Sequence, residues 1–257
     1  MNYFIICLVA LIGSGLTLFS GFGLGTLLTP VFAFFFPLEL AIAMTAIVHF
    51  ANNLFKLGLV GKHADWAIVW RFGGPSVLAA FLGAFLLKQM SNLNVLASWQ
   101  IGEKVFEITL LKIIIGILFI FFALWEILPS LSRLTFDKKH LVTGGLLSGF
   151  FGGLSGMQGA LRSAFLTKVG LSKEVFIGTG VVIACLIDTA RLSVYAERWS
   201  KNAPSFDYTL IAAATLSAFL GAYFGSKILT KITIQTIQNL VALLLFIFAI
   251  LLILGIL

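Results

Sequence analysis

Charged residues are scarce in this chain, at 11% of its 257 positions, where an ordinary soluble domain carries about 25%. So few ionisable groups cannot coat a water-soluble fold of this size, and that class is excluded. Cysteine is almost missing. Cys7 and Cys185 both lie inside apolar stretches, so no disulfide framework is expected, and with the three histidines they form no metal-ligand spacing. The Walker phosphate loop, the HExxH zinc helix and the GxSxG elbow are absent as well. Neither a cofactor nor a metal is therefore expected. Basic patches are lacking too: the formal charge of +7 comes from Lys and Arg set singly between apolar runs, which argues against a nucleic-acid partner. The opening Met1-Asn2-Tyr3-Phe4 has none of the positive charge that starts a signal peptide, and reads as the beginning of a membrane segment.

What the chain does have is apolar length. It is 60% hydrophobic with 26 Phe, and its mean hydropathy is +1.09. A crossing takes about 20 apolar residues, so roughly ten segments consume nearly all of it. The runs fall near 3–19, 24–37, 39–60, 66–87, 108–128, 141–153, 158–170, 174–196, 208–229 and 234–257. An all-α, multi-pass integral membrane protein follows, with the lipid bilayer as its surroundings.

Glycine interrupts these runs twice. In Gly152-Gly153-Leu154-Ser155-Gly156-Met157-Gln158-Gly159, four glycines fall in eight residues, although each costs about 1 kcal/mol against alanine inside a helix. Non-helical backbone at membrane depth is tolerated where protein buries it or a cavity faces it. The other interruption is Ser20-Gly21-Phe22-Gly23-Leu24-Gly25. Each is expected to open a helical hairpin, re-entrant or nearly spanning.

The grammar also repeats. An offset of 135 lays Ser20-Gly21 on Ser155-Gly156, Glu39 on Glu174, Asn53 on Asp188 and Lys56 on Arg191. Residues 80–84 and 218–222 match at an offset of 138, the extra length falling near Ser200. Two homologous halves of about five segments each are expected, 1–128 and 141–257, with 129–140 as the connecting loop. An odd number of crossings per half inverts one half against the other. Lys62, Arg133, Lys138, Lys139, Lys168, Lys173, Lys227 and Lys231 then share one side, against Lys88, Lys104, Lys112, Arg198 and Lys201 on the opposite one. The positive-inside rule places both termini outside.

Inversion brings both glycine hairpins to the midplane, with the helices that follow, from Gly25 and Gln158, pointing free N–H groups and positive dipole ends at the centre. Ser20, Gly21, Gly23, Gly25, Ser155, Gly156, Gln158 and Gly159 are accordingly candidate substrate contacts. The competing expectation is that these glycines serve close helix packing. Arg162 lies one turn past the second tip, about 6 Å from the midplane, and an arginine at that depth marks a site unless it pairs with Asp188 or caps carbonyls. Asn52, Asn53 and Asp188 complete the binding set. Lys56 and Arg191 are expected as vestibule cations on opposite sides of it, with snorkelling as the alternative. His49 stands one turn before Asn52 and Asn53 and could couple proton movement, against a simpler packing role. Glu39 and Glu174 suit helix capping, and Ser14, Thr17, Thr26 and Thr29 are weak candidates because such hydroxyls often bond their own backbone.

The segments SGFGLGTLLTP, AIVHFANNLFKLGLVG, GLLSGFFGGLSGMQGALRSAFLTKVGLSK and VVIACLIDTARLSVY resemble the TauE/SafE family of sulfite and organosulfonate exporters over nearly the whole chain. That resemblance implies export of small sulfur-containing anions across the cytoplasmic (inner) cell membrane by an inverted-repeat membrane transporter, with no catalysis, and leaves a homo-oligomer open. The alternatives are a passive anion channel or, less well supported, an intramembrane lipid-phosphate hydrolase. Asp188 is the sole deep carboxylate expected, which is thin equipment for a hydrolase.

Overall fold

In hydrocarbon every backbone N–H and C=O must find a partner within the protein, and apolar runs of about 20 residues do so within themselves as helices. The structure, a computed structural model, describes residues 2–20, 23–201, 206–228 and 234–257. Helices α1 (Asn2–Ser20), α2 (Gly25–Ala33) and α3 (Leu38–Val60) come first, followed by α4 (Trp66–Met90) and α5 (Leu110–Ile127). Next come α6 (Leu141–Ser155), α7 (Gly159–Leu166), α8 (Lys173–Lys201), α9 (Tyr208–Ile228) and α10 (Ile234–Ile253). Within α4 the turn over Val69–Gly73 widens to a π-helix. Pro75 follows it, and a proline ring cannot donate a helical hydrogen bond.

Lengths sort these helices. Among the described residues α3, α4, α5, α8 and α9 contain the segments long and apolar enough to cross a membrane, while Tyr3–Thr17 and Gln238–Ile253 are shorter apolar helices. With 9 residues in α2 and 8 in α7, each arm is only about 12–14 Å long. Neither can cross a core of about 30 Å. The run at 158–170 thus divides into a half-length helix and a 3-10 turn, Thr167–Val169.

One element departs from the expectation of helices alone. Strands β1 (Val95–Ile101) and β2 (Lys104–Thr109) form an antiparallel hairpin between α4 and α5. Ala97, Trp99 and Ile101 alternate with Ser98 and Gln100, a period of two too short to register beside helix-length runs. Gly102, at φ 59°, makes the turn in a conformation that favours glycine. Trp99 stacks on Phe106 with ring centroids 4.6 Å apart, and its Nε1 donates to the Leu254 carbonyl at 2.7 Å. The hairpin thereby clamps the end of α10 beside the start of α5.

Packing follows a pattern of exchanged partners. Helix α1 lies on α9 and α4 on α6, α3 faces α8, and α5 faces α10. Small residues permit the first two seams. A Cβ on Gly145, Gly149 or Gly153, one turn apart along α6, would be driven into the carbonyls of Phe72, Ser76 and Ala80 of α4. On α9, Gly221 and Gly225 meet Leu11 and Gly15 of α1 in the same way. Backbones approach this closely only without side chains, and without a hydrophobic drive in lipid such packing is what holds helices together. In the α5–α10 seam, Gln238 Nε2 donates to Glu126 Oε2 at 3.3 Å. Phe136, in the 129–140 connection, stacks on Phe165 of α7 at 4.2 Å and donates its N–H to the Ala164 carbonyl at 3.2 Å.

Replacing Gly149 with Leu should therefore lower the detergent-solubilised melting temperature by the equivalent of about 1–3 kcal/mol or more. Gly58→Ala, where a Cβ meets open space, should leave it unchanged or raise it. Equal melting of the two variants would show that the α4–α6 seam does not depend on glycine.

Candidate functional site

Two facing helices supply most of the buried ionisable side chains among the described residues. Helix α3 carries His49, Asn53 and Lys56 at spacings of four and three, and so on one face, with Asn52 beside them, while α8 carries Asp188 and Arg191 one turn apart. All are buried. A carboxylate taken this far from water must be surrounded by donors, and Asp188 is. Its Oδ2 lies 2.7 Å from His49 Nδ1 and accepts from Asn53 Nδ2 at 3.0 Å. Its Oδ1 accepts from Arg191 Nε at 2.9 Å and from Gln158 Nε2 at 3.3 Å. With Asp188 ionised, His49 carries its proton on Nδ1 and turns Nε2 the other way, toward Gly23. A Cβ at Gly23 would come within 3.1 Å of that nitrogen.

The second hairpin is shaped by its own backbone and by four side chains. Gly156, at φ 81°, ends α6 in the left-handed conformation. Ser155 Oγ donates to the Phe151 carbonyl at 3.0 Å and accepts from Met157 N at 3.4 Å. Ser148 Oγ donates to the Gln158 carbonyl at 3.0 Å, and Tyr195 OH to that of Gly153 at 2.8 Å. Gln158 then reaches from Asp188 to Arg162, whose Nη1 donates to Gln158 Oε1 at 3.0 Å. The two hairpins touch: a Cβ at Gly25 would lie 3.2 Å from the Gly156 carbonyl oxygen.

Beside this network is a cavity of about 40 Å³. One water needs roughly 10–15 Å³ by this measure, so the space suits about three such groups, the bulk of a small oxyanion. Its wall includes Thr17 of α1, Gly23 and Leu24 just before α2, His49, Asn53 and Lys56 of α3, and Arg162 of α7, closed by Phe176 and Gly180 of α8. Lys56 Nζ donates to the Ser14 carbonyl at 3.4 Å. It also lies 3.3 Å from the Asn52 side-chain oxygen in the amide orientation that satisfies both ends of Asn52. Two cations border the space, and none of its described lining residues is a carboxylate.

The expected residues separate into groups. Gly23, His49, Asn53, Lys56 and Arg162 reach the cavity wall; Gln158 and Asp188 stand behind it. Gly25 and Gly156 are spent on the contact between hairpins, Ser155 on the turn, and Gly159 begins α7 away from the wall. Asn52 is turned aside, its amide satisfied by Ser14 and the Ala218 carbonyl of α9. Arg191 differs most from expectation. Instead of flanking a vestibule it is wholly buried against Asp188, with Nη2 2.9 Å from Oδ1, because a carboxylate one turn away is nearer than any water. Arg162 does not pair directly with Asp188; Gln158 stands between them. Gly21, Lys231 and the side chains of Ser20, Arg198, Lys201 and Lys227 lie outside the described residues. Ser148 and Tyr195 were not anticipated. Tyr195 could have been found four residues past Arg191, whereas Ser148 carries no local signal.

Asp188→Asn leaves Arg191 buried without its charge partner, a loss of about 3–5 kcal/mol. The variant should melt far below the parent protein in detergent, and Asp188→Asn combined with Arg191→Gln should recover most of the difference. A double variant no more stable than the single one would show that the pair is not energetically coupled.

Compared with known families, residues 5–252, nearly the whole chain, match the one described as Sulfite exporter TauE/SafE. No curated protein matches the chain.

Proposed function

The chain belongs to the Sulfite exporter TauE/SafE family, and on that premise we propose that it is a secondary transporter carrying small sulfur oxyanions, such as sulfite or an organosulfonate, outward across the cytoplasmic membrane. Family membership and the apolar helices support a multi-pass membrane protein of the sulfur-anion exporter type, in a family of transporters. The passenger, its direction and its site belong to the proposal.

The observation that carries it is the cavity with Lys56 and Arg162 on its wall and no carboxylate among its described lining. An anion leaving water loses its hydration, and two cations in a low-dielectric setting offset that loss, each charge-assisted bond being worth about 1.5–3 kcal/mol. A cation would face the like charges of Lys56 and Arg162 there. His49, on the same wall with Asp188 behind it, is the group placed to take up a proton as the anion moves. Residues 1–128 and 141–257 act as two inverted repeats joined by 129–140. The exchange of partners, α1 on α9 and α4 on α6, is the packing that such a relation produces. Contact between the hairpins at Gly25 and Gly156 blocks the centre, which favours alternating access over an open channel.

Sulfite flux into proteoliposomes tests this reading. Arg162→Gln should reduce flux at low sulfite about 10- to 100-fold, equivalent to about 1.4–2.7 kcal/mol, and Lys56→Met should reduce it by a similar or smaller factor. Undiminished flux in Arg162→Gln would overturn the site. Flux in the parent protein should saturate with sulfite, whereas a channel's would keep rising.

A further inference from the structure

We propose that in the state open to the opposite face the oxyanion is held by a second half-site, built on Arg191 with Gln158 and Thr45, that binds it more weakly than Lys56 and Arg162 do. This rests on the inverted-repeat reading above.

When two inverted halves exchange conformations, each residue takes on the surroundings of its counterpart. The offset of 135 gives the counterparts of the present cavity wall: Lys56 corresponds to Arg191, Gly23 to Gln158, Asn53 to Asp188, and Gly180 to Thr45. An independent observation falls on the same positions. Among the described residues Thr29 Oγ1, Thr45 Oγ1, Arg191 Nη1 and Arg191 Nη2 are buried side-chain atoms that make no hydrogen bond, although Nη2 lies 2.9 Å from Asp188 Oδ1 as an ion pair. Thr45 and Arg191 are both counterparts of cavity-lining residues. Buried donors are seldom left unpaired without a reason, and exposure in another state is one. The geometry suits it: Nη1 of Arg191 presses on the Gly156 turn so closely that a Cβ there would lie 2.7 Å away. Withdrawal of that hairpin would uncover a guanidinium edge with two N–H donors, the fork that a planar or pyramidal oxyanion accepts.

The two half-sites are unequal in charge. Lys56 and Arg162 meet the anion with no carboxylate on the wall. On the opposite side Arg191 is already shared with Asp188 at 2.9 Å, and the counterpart of Arg162 is Leu27. The same oxyanion is gripped on the face that Lys56 borders and released on the face that Arg191 borders.

Single cysteines in a Cys7→Ser/Cys185→Ser background test the placement, using a membrane-impermeant maleimide applied without sulfite to vesicles of either orientation. Gly180→Cys should label from one face and Thr45→Cys from the other. In vesicles that still transport sulfite, Thr45→Cys labelling from the Gly180 face, or from neither, overturns the second half-site while leaving the cavity intact. Failure of Gly180→Cys to label from either face overturns the cavity reading itself. In the unsubstituted protein, the half-saturating sulfite concentration should be at least tenfold higher when sulfite is supplied from the Thr45 face. Equal values from the two faces overturn the inequality.

Discussion

The carboxylate of Asp188, fully buried at the meeting point of α3, α8 and the second hairpin, sets the terms for this structure. It draws donors from three separate elements: His49 and Asn53 from α3, Gln158 from the second hairpin, and Arg191 from its own helix. Hydrogen bonds to a charged acceptor in low dielectric are strong, and an unmet one is correspondingly expensive. The network therefore welds the centre of the molecule, where apolar packing alone would distinguish poorly between protein and lipid. It also leaves two other cations, Lys56 and Arg162, beside a cavity and out of direct contact with Asp188.

Glycine has two separate duties here. Gly156 turns the chain, and Gly25 lets the two hairpins meet. Gly145, Gly149 and Gly153, however, pave the face of α6 that α4 lies against. Part of the glycine-rich stretch is thus packing surface and part is tip. Both duties are coupled, because the seam positions α6 and α6 positions the turn that carries Gln158 toward Asp188. Tyr195, bonded to the Gly153 carbonyl, ties that same stretch to α8.

Under the proposed inverted-repeat relation, charge is unevenly divided between positions offset by 135. Asn53 faces Asp188, Lys56 matches Arg191, and Arg162 matches Leu27. A repeat relation preserves shape while allowing each half its own electrostatics, and in a carrier those differences set which face holds an anion more firmly.

Membrane class, the number and approximate limits of the apolar runs, and the glycine interruptions were legible in the sequence, because they depend on local composition against a bilayer of known thickness. So were the α3 polar face and Arg162, since a charge inside an apolar run is conspicuous wherever it falls. The β-hairpin escaped notice because its alternation spans few residues beside much longer helical runs. Which cation meets which carboxylate was decided only by tertiary structure. Local spacing allowed Asp188 either arginine; Arg191 takes it from one turn away, and Gln158 keeps Arg162 for the cavity. Likewise Asn52 and Asn53 are neighbours in sequence, yet only Asn53 reaches the wall, because successive residues of a helix point about 100° apart and α9 claims the other. Sequence specifies which groups must be buried. Their partners are fixed by long-range packing, which brings α3, α8 and two hairpins to one point.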